Sequence, residues 1–382
     1  MIRLISKNKI TYFLLLFSLL VVMGLMSTFE LNPYLTTGKY LSLTVFVAVY
    51  FLGVGRIHGD LLILTGLVYF LAFSILFTMM NNPDIKSILV ILGYAACLVI
   101  YMISSAGNLD LSNLLDKFLR IFTVIFLLTN IPQLVNPDAY SIVKGQFTGL
   151  LSNANAFAGL CGLCFIYVLS TMAQRGSRAG YFFWSIMLVI YSVFILFAGS
   201  RGVILSVVFA FFFMNVKSTT KLYAIFALLG GAAAYLYFGN SFQIGFGGLA
   251  QRSLGESTGR EDIFWRYMSQ ISERMFVGTG LSESSGRIKS ELSYLDLTLF
   301  SGVGVLGYFV FLFRTYYLVL VTPLRKQLSV WVVPIFSYVT FSSIFEGYAA
   351  NVVSLPSIFL YITAGFIYAS SRRGKNDKPL SR

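Results

Sequence analysis

The sequence predicts an all-α integral membrane protein with about twelve transmembrane helices and one large loop on the outer side. Three observations predict it: a scarcity of charge, a regular series of apolar runs, and a sided distribution of lysine and arginine. Charged residues are 11% of the chain and hydrophobic residues 57%, whereas a soluble domain is roughly 25% charged. No single soluble core hides that much apolar surface, so a soluble enzyme is excluded. A bilayer solvates it, at about 20 mainly apolar residues per crossing.

The apolar runs fall near residues 10–29, 40–55, 61–80, 86–105, 118–135, 154–173, 180–198, 202–216, 221–238, 297–314, 329–345 and 351–371. The eighth is short for a full crossing. The first follows Arg3, Lys7 and Lys9, but it exceeds a usual leader core and lacks a clean A-x-A site, so it reads as a membrane helix.

Cationic residues orient the series, because loops rich in lysine and arginine stay on the cytoplasmic side. With the N-terminus inside, the cytoplasmic segments collect 18 of the 28 Lys and Arg residues, including the basic tail 372–382. The short outer loops collect only Lys39, Lys86, Lys144 and Arg201. An odd number of helices would place the basic tail outside. Both termini are therefore expected inside, and the net charge of +13 follows from topology rather than from nucleic-acid binding. The chain reads as one polytopic domain, 1–382.

Residues 239–296, between the ninth and tenth helices, differ in character. They hold six basic and seven acidic residues. Thr258-Gly-Arg-Glu261 fits a capping box. Ile263, Phe264, Tyr267, Met268 and Ile271 then recur at helical spacing, and Gly278 and Gly280 follow as stop signals. The pattern predicts an amphipathic helix lying at the outer membrane surface.

Cysteine and histidine offer little chemistry. Cys161-x-x-Cys164 and Cys97 lie inside apolar runs, where they read as small packing residues. His58 is the single histidine. No D-x-D pair marks a divalent cation, and no cofactor is expected.

Three polar clusters fall on the outer side. Ser152, Asn153 and Asn155 stand at the start of the sixth helix, as caps or as amides facing a polar ligand. Ala198-Gly-Ser-Arg201-Gly202 forms a tight turn carrying one isolated arginine. Such a charge is a functional candidate, because burying it in a bilayer costs roughly 2.5–3.5 kcal/mol. The third cluster joins Arg260, Trp265 and Arg266 to Glu291 and Tyr294, where the chain re-enters the membrane. Arginines hold phosphate through forked, charge-assisted hydrogen bonds. Arg201 and Arg260 at the outer headgroup plane suit a lipid-linked diphosphate, and a carboxylate such as Glu291 suits a general base on a sugar hydroxyl.

In order, S-N-x-N at 152–155, G-S-R-G at 199–202, Gly259-Arg260 with Trp265, and Tyr294-Leu-Asp-Leu through Gly304 resemble the O-antigen polymerase and O-antigen ligase superfamily. The resemblance spans roughly residues 145–312. It implies a GT-C-like membrane fold in the bacterial inner membrane. It also implies metal-independent transfer of glycan from undecaprenyl diphosphate at the periplasmic face, and a chain-length regulator as a partner. By motif, Arg201 and Arg260 would hold the diphosphate. Asn153, Asn155, Trp265, Arg266 and Tyr294 are the expected substrate contacts. Ligases of the superfamily place a histidine where Glu291 stands here, which favours a polymerase, with ligase and polysaccharide flippase as the alternatives.

Overall fold

The structure is a computed structural model. It describes residues 42–45, 48, 58–106, 109–135, 142–143, 146–151, 153–172, 178–214, 260–274, 276–281, 292–321, 328–351 and 354–376. The expected helices at 10–29 and 221–238, most of 40–55, the capping residue Thr258, Ser152, Glu291 and the end of the basic tail lie outside these residues.

The described chain is mostly helical. Its helices are α1 (Leu61–Met80), α2 (Ile85–Ser105), α3 (Leu109–Val135), α4 (Ala154–Met172), α5 (Arg178–Ala198), α6 (Arg201–Phe212), α7 (Arg260–Arg274), α8 (Ser293–Ser301), α9 (Val305–Val321), α10 (Val332–Ser342) and α11 (Leu355–Asn376). Two short antiparallel strands, β1 (Ile142–Val143) and β2 (Gln146–Phe147), form the only sheet among the described residues. Among the described residues, five segments are long and apolar enough to cross a membrane: Leu61–Met80, Ile85–Ser105, Ala154–Met172, Gly180–Ala198 and Ser293–Val321. Outward-facing apolar side chains such as Leu76, Ile125, Phe182, Phe212, Phe313 and Leu320 are exposed, as a lipid-facing surface requires.

Local chemistry explains the helix ends. Asp60 caps α1 by accepting from the Leu62 and Ile63 amides at 3.0 and 3.3 Å. Asp84 caps α2 by accepting from the Ser87 amide at 2.6 Å, just after the Asn82-Pro83 turn. Where small residues meet, the helices approach closely. A Cβ on Gly66 would stand 2.6 Å from the Gly307 carbonyl oxygen, so α1 and α9 cross with their backbones in contact. The α4 helix is buried throughout except at Asn155 and Ala156, and α10 packs against α4, α6 and α11. A helix apolar on every side belongs at the centre of such a bundle. Cys161 and Cys164 are free and buried within it, and Cys97 is likewise free and buried in α2, as packing residues are.

Three features of the helices matter for the site. First, α6 has 12 residues and α10 has 11, about 18 and 16 Å at 1.5 Å per residue, well short of a roughly 30 Å hydrocarbon core. Second, the tenth expected helix is broken. It leaves the α-helical path at Gly302, whose φ is +51°, and resumes at Val305 after one 3-10 turn. The Leu299 and Phe300 carbonyls freed there accept from the Thr279 and Gly280 amides at 2.8 and 3.1 Å. An unpaired carbonyl at this depth costs several kcal/mol, so the end of the long loop completes the helix it precedes. Gly278 and Gly280, expected as stop signals, lie past the helix end at Arg274 and pack backbone to backbone against the bundle.

Third, the expected eleventh helix stops at Ser342, and residues 343–351 follow as a series of turns that is buried in part. Ser343, Glu346, Tyr348 and Ala349 in this stretch are buried. Irregular backbone is tolerated inside a membrane protein only where protein or a lined cavity satisfies it. Here the Ser293 hydroxyl accepts from the Ala349 and Ala350 amides at 3.0 and 3.4 Å.

The two ends of the bundle are chemically distinct. At one end Arg314 on α9 donates to Asp60 through Nη2 and Nε at 2.9 and 3.2 Å. Tyr167 donates there to Asp116 at 3.0 Å. The other end gathers the turns expected on the outer side, linked by bonds such as Leu281 to Thr78 and Tyr348 to Asn155. Removing one member of the Asp60–Arg314 pair strands its partner. Asp60→Ala also strips the α1 cap. It is therefore expected to destabilise by about 2–4 kcal/mol, and more than Arg314→Ala, whose side chain is 30% exposed. Melting in detergent checks this; equal losses would remove the capping role.

Candidate functional site

The end of the bundle away from the Asp60–Arg314 pair joins three helix N-termini to one short segment that carries a buried acid, Glu346. It is 3% exposed and is the only Asp or Glu between Asp296 and Asp377. An acid buried within an apolar bundle is a functional candidate by its cost alone.

The first N-terminus is that of α6. Ser200 occupies the cap position but makes no capping hydrogen bond to its own helix. Its hydroxyl donates to Glu346 Oε1 at 3.2 Å. Arg201, the first helical residue, is exposed. Gly202 lies against Phe345: a Cβ there would stand 2.6 Å from the Phe345 Cβ. The turn that carries Arg201 thus rests on residues 345 and 346.

The second is that of α8. The Ser293 hydroxyl donates to the Glu346 carbonyl at 2.6 Å. The third is that of α4, reached through Tyr348, whose hydroxyl donates to the Asn155 carbonyl at 3.0 Å. Asn153 caps α4 by accepting from the Asn155 and Ala156 amides at 2.8 and 3.3 Å. The Gly149 turn before it is fastened to α3 by the buried Asn130, whose side-chain oxygen accepts from the Leu150 amide at 3.0 Å. Tyr338 reaches across to donate to the Gly159 carbonyl at 2.9 Å, in space left by Gly162, while Tyr348 fills the space left by Gly159.

The structure therefore brings Arg201, Asn153, Asn155 and Tyr294 to helix starts around the 343–351 segment. Asn153 serves as a cap, one of its two expected roles. Tyr294 is engaged in packing: its hydroxyl donates to the Thr340 carbonyl at 2.7 Å and its ring lies 5.9 Å from Phe309. Arg260 opens α7. Tyr267 of the same helix is buried and donates to Asp296 in the first turn of α8. That bond docks α7 on the helix that enters the cluster. Trp265 is 68% exposed, and Arg266 is exposed beside it, away from the docked face.

Three contributors escape motif reasoning. Glu346 falls in the gap between the eleventh and twelfth expected runs, yet as the lone acid over eighty positions it was detectable by charge alone. Asn130 gave no such signal, and Asp296, though inside the Tyr294-Leu-Asp-Leu motif, showed no role there, because both roles appear only when distant segments meet. The helix N-termini supply positive partial charge toward an anion, Arg201 supplies a full one, and Glu346 supplies an internal acceptor. Among the described residues, no three His, Cys, Asp or Glu side chains gather as metal ligands. No protein-family model matches the sequence, and no curated protein is similar to it.

Proposed function

We propose that this protein polymerises undecaprenyl-diphosphate-linked oligosaccharide repeat units into O-antigen or a related surface polysaccharide, at the outer face of the bacterial inner membrane. One observation carries the proposal: an arginine at a helix N-terminus, built on a buried carboxyl group, at the end of an apolar bundle where lipid headgroups would lie. The order of motifs along the chain supports the same reading, as does the helical, lipid-facing fold with twelve expected crossings.

The proposed chemistry is a displacement. Arg201 and Arg260 hold the diphosphate and neutralise the charge that develops as it leaves. A carboxylate, with Glu291 the candidate, takes the proton from the acceptor sugar hydroxyl. That hydroxyl oxygen then bonds to the sugar carbon that loses the diphosphate. Trp265 and Arg266, both exposed on α7, are assigned in this reading to contact with the glycan.

A second reading, transport of the lipid-linked glycan, is favoured by the broken helix at Gly302–Gly304 and the irregular, partly buried segment 343–351. Gene deletion with gel analysis of surface polysaccharide separates the readings. Loss of the ladder with single-repeat glycan still at the surface is the expected result. Long polymer stranded on the carrier indicates a ligase, and repeat units trapped on the cytoplasmic leaflet indicate a flippase.

A further inference from the structure

We infer that Glu346 is a positioning residue that sets the direction of Arg201 through Ser200, an assignment that rests on the polymerase reading. A serine at a helix cap ordinarily accepts a hydrogen bond from its own helix. Ser200 has the extended cap backbone, with φ −85° and ψ 100°, but directs its hydroxyl to Glu346 Oε1 instead. Both ends of that bond are buried, Ser200 at 4% exposure and Glu346 at 3%.

The segment bearing Glu346 is itself held. Its carbonyl accepts from Ser293, and Ser293 in turn accepts from the amides of Ala349 and Ala350. Phe345 packs on Gly202 from the other side of Arg201. The turn is thereby fixed on both flanks, and the fixing group is an acid buried too deeply to meet a sugar hydroxyl in this arrangement. A long arginine side chain loses rotamer freedom when it holds a ligand, so a preset starting direction lowers the cost of capture. Glu346 acts on Arg201, not on the reacting atoms.

The test uses the full-length protein in detergent or nanodiscs, with a synthetic undecaprenyl-diphosphate oligosaccharide as substrate. Ser200→Ala and Glu346→Ala are each expected to raise KM for the lipid-linked donor roughly tenfold, with a smaller change in kcat. Glu346→Gln keeps an oxygen acceptor for the Ser200 hydroxyl and should stay within a few-fold of the wild type. The double variant Ser200→Ala/Glu346→Ala should be no worse than either single one, because both remove one contact. Equal loss in Glu346→Gln and Glu346→Ala, with Ser200→Ala unaffected, would overturn the inference and make Glu346 a group acting directly on substrate. Additive losses, or losses only in melting temperature, would also overturn it.

Should Glu346→Ala not fold, Ser200→Ala and Glu346→Gln still decide the matter. An inactive wild-type protein would sink the polymerase reading alone. The contact is then judged by thiol labelling of Arg201→Cys, since the three native cysteines are buried. Ser200→Ala should change the labelling rate several-fold, and an unchanged rate would overturn the positioning role.

Discussion

Arg201→Ala is expected to abolish long-chain surface polysaccharide while leaving normal amounts of protein in the membrane. Arg201 is exposed at the first position of α6, so its removal opens no cavity. What it removes is a cation at a helix N-terminus, where the two charges would reinforce one another on a diphosphate. Two charge-assisted hydrogen bonds at about 1.5–3 kcal/mol each predict a loss of roughly a hundredfold or more. Arg201→Lys keeps the charge without the fork and should recover only part of it. Arg260→Ala, at the start of α7, is expected to behave alike. Immunoblotting of membranes beside a polysaccharide gel checks both variants. A normal ladder from either one removes the diphosphate clamp from the proposed chemistry.

Gly307→Leu should prevent accumulation of folded protein altogether. A Cβ at this position would stand 2.2 Å from the Gly66 carbonyl oxygen, and the atom it meets is backbone that has no rotamer to yield. The α1–α9 crossing would have to open, losing dispersion contacts along its length and disturbing the Asp60–Arg314 pair below. Overpacking commonly costs 1–3 kcal/mol, and a backbone clash at a helix crossing is expected at or above the top of that range, about 3 kcal/mol or more. Gly347→Ala is the control, because nothing lies within 4 Å of a Cβ there. Size-exclusion profiles of a fluorescent fusion report both. A monodisperse Gly307→Leu protein would mean that the two helices do not cross as described.

Much of this architecture is visible in the chain before it folds. The starts at 61 and 154 and the end at 198 coincide with the expected runs, because hydropathy and capping are local properties. Asn153 is legible as a cap from its place before an apolar run. The amphipathic helix near 260–274 is legible from its periodicity. The Gly149–Asn155 and Gly199–Gly202 motifs are legible as helix starts on the expected outer side. The clustering of those starts at one end of the bundle agrees with the alternation that charge bias predicts.

What the sequence by itself determined, then, is a helical, lipid-solvated chain with its polar motifs at helix starts. These follow from the composition of short windows, each of which carries its own preference. Only the tertiary structure decided what those starts surround. The Ser200–Glu346 bond joins residues 146 positions apart, and Tyr267 meets Asp296 across 29. The break at Gly302 is tolerable only because Thr279 and Gly280 supply the missing donors. The buried part of segment 343–351 stays irregular because Ser293 satisfies the Ala349 and Ala350 amides. Each of these is a pairing between a donor and an acceptor from separate segments. No window of sequence contains both partners, so the packed bundle alone brings them together.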